Sequence, residues 1–237
     1  GQTGPCTEAV LSAGIGRVAF AVRDPNPAHC GAAAKILRRR GVGVSVGILG
    51  QEASELKEPF GKRVATGLPF ITLKLAMTLD GKIADPGGAS RWITGKESRA
   101  DVQALRRTAD AILVGANTVR ADDPSLLPRP AGGRKPFRVV VAGTGAIQAR
   151  RKVFCDMAAE RTLFAVPRAA VSRAQRMLKG SAARVLPCRA GRGGVNLKDL
   201  VKKLADLGVL HVFCEGGGCI SGSLIRANLV DRYVLYY

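Results

Sequence analysis

Aromatic side chains are scarce: Phe, Trp and Tyr make up 5% of the 237 residues, with one tryptophan. An aromatic-rich platform for stacking nucleic-acid bases is therefore not expected. Long apolar runs are missing too. Stretches such as 41–50 fall far short of the roughly 20 residues that span a bilayer, so no membrane association is expected. Gly1 to Cys6 has neither the basic start nor the apolar segment of a signal peptide. The six cysteines form no CxxC pair and no regular framework, which points to reduced thiols and a cytoplasmic protein. The two histidines, His29 and His211, share no metal-like spacing with them. There is no GxSxG elbow, no P-loop GK[ST] and no HxE followed by PCxxC. These absences exclude an α/β-hydrolase nucleophile, a Walker-type NTPase and a self-sufficient zinc deaminase site.

Acidic residues are also few, 18 Asp+Glu against 37 Lys+Arg, for a net charge of +19. The excess is concentrated in residues 129–192, which hold fifteen basic residues and two acids, Asp156 and Glu160. Such a segment suits either nucleic acid or a solvated basic face that attracts phosphorylated small molecules. No zinc finger or RNP signature supports nucleic acid, and it is not the expected partner. Hydrophobic residues reach 46%, enough for a substantial core.

Two blocks are expected, 1–66 and 67–237. The first alternates helix and strand: a short helix capped by Thr7, a strand from Arg17 to Val22, a basic helix from Ala32 to Arg40, a strand from Val42 to Ile48, and a helix from Gln51 to Gly61. Its strands should be parallel. The second block starts with a strand at Phe70–Met77. A helix over Lys96–Thr108 takes Thr94 as N-cap and Glu97 as capping-box partner. Further strands fall at 111–115, 137–141, 162–166, 184–186, 211–214 and 231–237, and helices at 116–121, 172–179, 197–207 and 218–227.

Chemistry concentrates in four segments. The apolar strand His211–Cys214 runs into Glu215, three glycines and a helix. Glycines there allow close backbone approach, and the helix start offers free N–H groups to a phosphate, although the pattern is not GxGxxG. In the strand that starts at Phe70, alternation puts Lys74 and Ala76 on one face. A lysine in an apolar strand needs a carboxylate or a ligand anion, unless the strand is an edge and Lys74 reaches solvent. The single tryptophan sits in Ser90-Arg91-Trp92-Ile93-Thr94, and Gly115 to Leu126 turns through one short helix into Asp122-Asp123-Pro124.

Taken together, LKLAMTLDGKIA (73–84), SRWIT (90–94), DVQALRRTADAILVGANTVRADDPSL (101–126) and CEGGGCISGSLIRANLVD (214–231) resemble the reductase domain of the bifunctional riboflavin-biosynthesis deaminase/reductase family. The resemblance covers most of residues 69–231. It implies an α/β chain with a dihydrofolate-reductase-like domain around a mostly parallel sheet. That domain is preceded by a partial cytidine-deaminase-like segment, since residues 1–27 resemble the tail of the family's deaminase domain. Cys6 falls where the last zinc cysteine stands; the other ligands would lie upstream, so neither zinc nor deamination is expected of this chain. The implied reaction is NADPH-dependent reduction of 5-amino-6-(5-phosphoribosylamino)uracil to its ribityl counterpart, with a homo-oligomer as the expected assembly. The alternatives are an inactive fragment of the same family or a basic nucleic-acid-binding module.

The implied cofactor contacts are Ala76, Trp92, Thr118, Asp122, Gly143, Gly217, Gly218, Cys219, Ile220, Ser221, Gly222 and Ser223. The implied substrate contacts are Ser90, Arg106, Leu126, Arg129 and Glu215, with Lys74 and Glu215 as catalytic candidates. Two departures stand out. Ala142 and Gly143 follow Val141 where the family places polar groups, and the family continues past Tyr237, so the reductase domain is expected to be C-terminally incomplete.

Overall fold

Residues 4–26, 29–85, 87, 93–130, 132–133 and 135–237 are described by a computed structural model. The chain divides into two compact units, 1–67 and 68–237. In the first, α1 (Cys6–Ser12), β1 (Arg17–Phe20), α2 (Ala32–Arg39), β2 (Gly43–Val46) and α3 (Gly50–Thr66) follow one another, and β1 pairs with β2 in parallel. Thr7 is not the cap of α1; it lies inside the helix, and Pro5 holds the N-cap position without a side-chain bond. The helix α3 outruns the expected stop at Gly61 and ends at Gly67, whose φ of 72° is the left-handed conformation that glycine adopts without a Cβ clash.

The second unit contains β3 (Phe70–Ala76), α4 (Lys96–Thr108), β4 (Ala111–Gly115), α5 (Ala116–Asp122), β5 (Phe137–Val141), α6 (Lys152–Cys155), β6 (Thr162–Pro167), α7 (Val171–Met177), β7 (Arg184–Cys188), β8 (Ala190–Gly191), β9 (Gly194–Val195), α8 (Leu197–Asp206), β10 (His211–Cys214), α9 (Gly218–Arg226) and β11 (Arg232–Tyr236). Seven strands form one sheet in the order β11-β3-β10-β4-β5-β6-β7, every pair parallel. The expected mostly parallel α/β architecture is therefore present. The hairpin β8–β9 is a separate antiparallel pair.

The apolar runs of β4, β6 and β10 are buried along almost their whole length, as central parallel strands covered on both faces must be. Alternation sorts their side chains between two cores. Leu73, Leu113, Val139 and Leu163 pack with Leu200, Leu204 and Leu224 of α8 and α9. Ile112, Val114, Val140 and Phe164 pack on the other face with Val119, Phe154 and Ala174 of α5, α6 and α7. Among the described residues, a fully buried charge sits inside this sheet. Arg138 of β5 is fully buried, and it donates to both carboxylate oxygens of Asp156 at 2.6 and 2.8 Å and to the Ser125 and Val153 carbonyls. An unpaired guanidinium there would be prohibitive, so Asp156 is a structural requirement of β5.

Thr94 does not cap α4. Gly95 takes the N-cap position with extended backbone and no side-chain bond, which also moves Glu97 out of capping-box register. Among the described residues, no helix is long and apolar enough to cross a membrane.

Candidate active site

Because all seven strands run the same way, their C-terminal ends share one edge of the sheet, where open α/β sheets bind ligands. A cleft of about 510 Å³ opens there. Gly115 and Val141 end β4 and β5 at its floor, and Gly217, Gly218 and Cys219 bring in the start of α9. The lining continues through the Arg192–Gly193 turn of the hairpin and through Gly143 and Thr144 after β5.

Local packing demands Gly216 and crowds Gly218. A Cβ on Gly216 would lie 1.7 Å from Ile220 Cγ2, and one on Gly218 would lie 3.1 Å from Ile83 Cδ1. Gly217 caps α9 with no side-chain bond, so the first N–H groups of that helix face the cleft uncapped. The Thr118 hydroxyl lies 3.8 Å from where a Gly217 Cβ would stand.

Beside the cleft is a polar cluster. Glu215, the residue after β10, accepts from Arg106 Nε at 2.6 Å and from Arg106 Nη2 at 2.9 Å. The two side chains are only 11% and 15% exposed. Arg106 Nη1 also reaches the Leu127 carbonyl at 3.5 Å. The neighbouring loop is tied to α4: Arg107 donates to the Arg129 carbonyl, and the Arg129 N–H donates to Gln103 Oε1. Lys74 is half-buried in β3, an inner strand between β11 and β10, so the edge-strand alternative does not hold. Its ammonium lies 5.7 Å from the ring centre of Tyr236, whose hydroxyl donates to Asp101. Burial lowers the Lys74 pKa, Glu215 opposes that shift and Arg106 reinforces it. The Tyr236 hydroxyl is pushed up, by burial first and then by Asp101.

Comparison with known proteins places these features in a family. The model of the RibD C-terminal domain matches residues 69–237. The chain belongs to the RibD C-terminal domain family. It is 37% identical over 238 residues to the riboflavin biosynthesis protein RibD of Bacillus amyloliquefaciens and 39% identical over 237 residues to that of Aquifex aeolicus. Those alignments take in 100% of this chain but 63% and 65% of the relatives, so the chain spans a little under two thirds of their length. Among solved structures, Acinetobacter baumannii RibD superposes with a TM-score of 0.81 at 30% identity, over 99% of this chain and 64% of that one. The deaminase/reductase structure from Thermotoga maritima superposes with a TM-score of 0.74 at 30% identity, over 96% of this chain and 61% of that one.

Within the RibD C-terminal domain, the fold gathers much of the sequence-derived set. Gly143, Gly217, Gly218, Cys219, Ile220 and Ser223 line the cleft, and Arg106, Glu215 and Lys74 form the polar cluster. Other expected contacts are not in the lining. Ser221 is buried and donates to the Gly216 carbonyl, and Gly222 faces Arg226. Ala76 closes β3 opposite Tyr236, and Asp122 is exposed at the end of α5. Leu126 is a core residue at φ 60°, closed to solvent and outside the cleft lining. Ser90 and Trp92 lie outside the described residues. Cys6 is exposed in α1, and among the described residues no group of three His, Cys, Asp or Glu side chains could hold a metal ion.

Arg120 and Arg192 of the cleft lining, and Tyr236 and Asp101 beside Lys74, were not among the sequence candidates. The signal for Arg192 was local, a basic residue before two glycines (193 and 194) that form a hairpin turn.

Proposed function

We propose that the unit 68–237 is an NADPH-dependent reductase of riboflavin biosynthesis that converts 5-amino-6-(5-phosphoribosylamino)uracil to its ribitylamino product. The observation that carries this reading is the pairing of two adjacent sites at one sheet edge. A glycine-lined cleft with an uncapped helix start adjoins a buried carboxylate–guanidinium–lysine cluster. Family membership and the reductase named in the Thermotoga maritima structure, 5-amino-6-(5-phosphoribosylamino)uracil reductase, agree with it.

The cleft fits a dinucleotide on physical grounds. Its glycines leave backbone N–H groups accessible, and the lining carries Arg120 and Arg192 with no acidic side chain among the described residues, a donor set suited to phosphates. Gly217, Gly218 and Cys219 would hold the pyrophosphate, Gly143 and Thr144 the opposite rim. When bound, the cofactor supplies a hydride for C1′ of the opened ribosylamine.

This chain's residues do the rest by orientation and charge. Glu215 accepts hydrogen bonds from the substrate's polar groups and holds Arg106 in a fixed plane. Arg106 and Arg129 present positive charge to the substrate phosphate. Lys74 holds a proton at Nζ that burial makes easier to release. Thr118, Asp122 and Ala76, with Ser90 and Trp92, complete the set of contacts we assign from the family pattern. Deamination and zinc binding are not part of the proposal.

The test is cofactor oxidation by the 237-residue chain with the ribosylaminouracil substrate, read beside labelling of Cys219, an exposed thiol in the cleft wall. Substrate-dependent NADPH oxidation and slower Cys219 labelling in NADPH are expected. Unchanged labelling with no oxidation would overturn the reading. Protection without oxidation would leave the cofactor site standing and remove the substrate assignment.

A further inference from the structure

Among the described residues two arginines line the cleft, and they are engaged differently. Arg120 of α5 donates to Asn117 Oδ1 and to the Ala146 carbonyl, which fixes its guanidinium. Arg192 is exposed in the turn of the β8–β9 hairpin and has no hydrogen-bond or ion-pair partner among the described residues. Its side chain is free, but its backbone is seated. A Cβ on Gly191 would lie 2.9 Å from Asn196 Cα, and one on Gly194 would lie 2.7 Å from Gly143 Cα. The Gly191 contact tightens the hairpin, the Gly194 contact rests it backbone-to-backbone against Gly143, and Arg192 lies in the cleft lining.

Charge then separates two kinds of dinucleotide. A site for a free ribose diol places a carboxylate against the hydroxyls, whereas a site for a phosphorylated ribose places an arginine there. The described lining offers arginines and no carboxylate. We infer that Arg192 is the specificity-determining residue by which this cleft prefers a dinucleotide with an additional ribose phosphate over one without it. This rests on the cofactor reading above. Arg192 supplies a charge-assisted donor pair to the phosphate monoester, and Arg120 adds positive field without needing to move.

The experiment titrates the full chain and its Arg192→Ala and Arg192→Lys variants with NADPH and with NADH, following nicotinamide fluorescence at two salt concentrations. Loss of the guanidinium should weaken NADPH by about tenfold or more and leave NADH unchanged. Lysine should restore part of the loss, and the difference should shrink at high salt. The unliganded variants should melt with the wild type, since Arg192 leaves no partner behind. If Arg192→Ala weakens both dinucleotides equally, or keeps the wild-type preference, the assignment of Arg192 is wrong while the cofactor reading survives. If the wild type binds neither dinucleotide, the cofactor reading fails and takes this inference with it.

Discussion

Replacing Glu215 by Gln removes one charge and almost no volume, which makes it a clean probe of the polar cluster. In the folded protein each carboxylate oxygen takes one N–H of Arg106, at 2.6 and 2.9 Å, in a setting only 11–15% open to solvent. An amide offers one acceptor, so one bond is lost and the other loses its negative partner. A hydrogen bond to a charged group contributes about 1.5–3 kcal/mol, and leaving a buried charge unpaired costs about 3–5 kcal/mol. The residual solvent access and the Leu127 carbonyl keep the loss near the lower end, about 2 kcal/mol. For a chain of this size that is a fall in Tm of about 4–8 °C. Lys74 also loses the anion that raises its pKa, so its charged form becomes harder to keep. Turnover with the ribosylaminouracil should fall by about tenfold or more, while NADPH affinity holds because Glu215 is outside the cleft lining. Calorimetry of the unliganded variant, NADPH titration and steady-state turnover read the three parts separately. An unchanged Tm would refute the energetic account of the pair, and unchanged kcat/KM would take Glu215 out of the site. Joint replacement of Arg106 and Glu215 by leucine should destabilise less than Glu215→Gln alone, since no orphaned charge remains.

Lys74→Met should abolish turnover yet raise Tm at neutral pH. The folded pKa lies below 10.5, so the fold carries a desolvated ammonium whose cost is relieved only as pH rises through the folded value toward 10.5; a lower Tm for the variant would contradict this. Gly216→Ala should cost about 1–3 kcal/mol in denaturant melts and weaken NADPH, because the new methyl meets Ile220 Cγ2 at 1.7 Å and must displace the first turn of α9; a neutral outcome would refute that packing. His211 is held neutral: burial lowers its pKa, with Arg232 helping and the Thr108 carbonyl, Asp110 and Asp231 opposing, and the Thr72 hydroxyl lies 2.9 Å from Nε2. The unfolded chain therefore takes up this proton first, and stability should fall as pH drops below about 6.5 and on toward the folded pKa. His211→Gln should flatten that part of the profile in melts across pH. Thiol titration of the native chain should find Cys188 and Cys214 inert, since burial pushes them up to about 11 and about 12, while exposed Cys219 reacts.

Strands β4, β5 and β10 were legible to the residue, because each is a short β-branched or apolar run bounded by a turn residue or a charge. Local rules failed at helix starts. Thr7 and Thr94 have the right side chains, but Pro5 and Gly95 have the backbone conformation that the chain path requires. The Glu215 strand end and its glycines were readable as a candidate site because that signal is contiguous in sequence. What the carboxylate touches was not readable, since Arg106 lies 109 residues away. The pairing of Arg138 with Asp156, 18 residues on, and that of Lys74 with Tyr236 were not readable either: each depends on how the chain returns to the sheet.

The contact between Gly143 and Gly194 makes two hydrogen atoms a spacer for the cleft. Neither position can gain a side chain independently: a methyl at 143 must push the hairpin by a few tenths of an ångström, and one at 194 by more. Sequence drift at the two sites is therefore coupled, and the first change at either moves the turn that carries Arg192. The same coupling offers a lever for engineering, since a graded series of small residues at 143 would step the hairpin outward and widen the mouth for bulkier ligands without touching the Arg106–Glu215 pair.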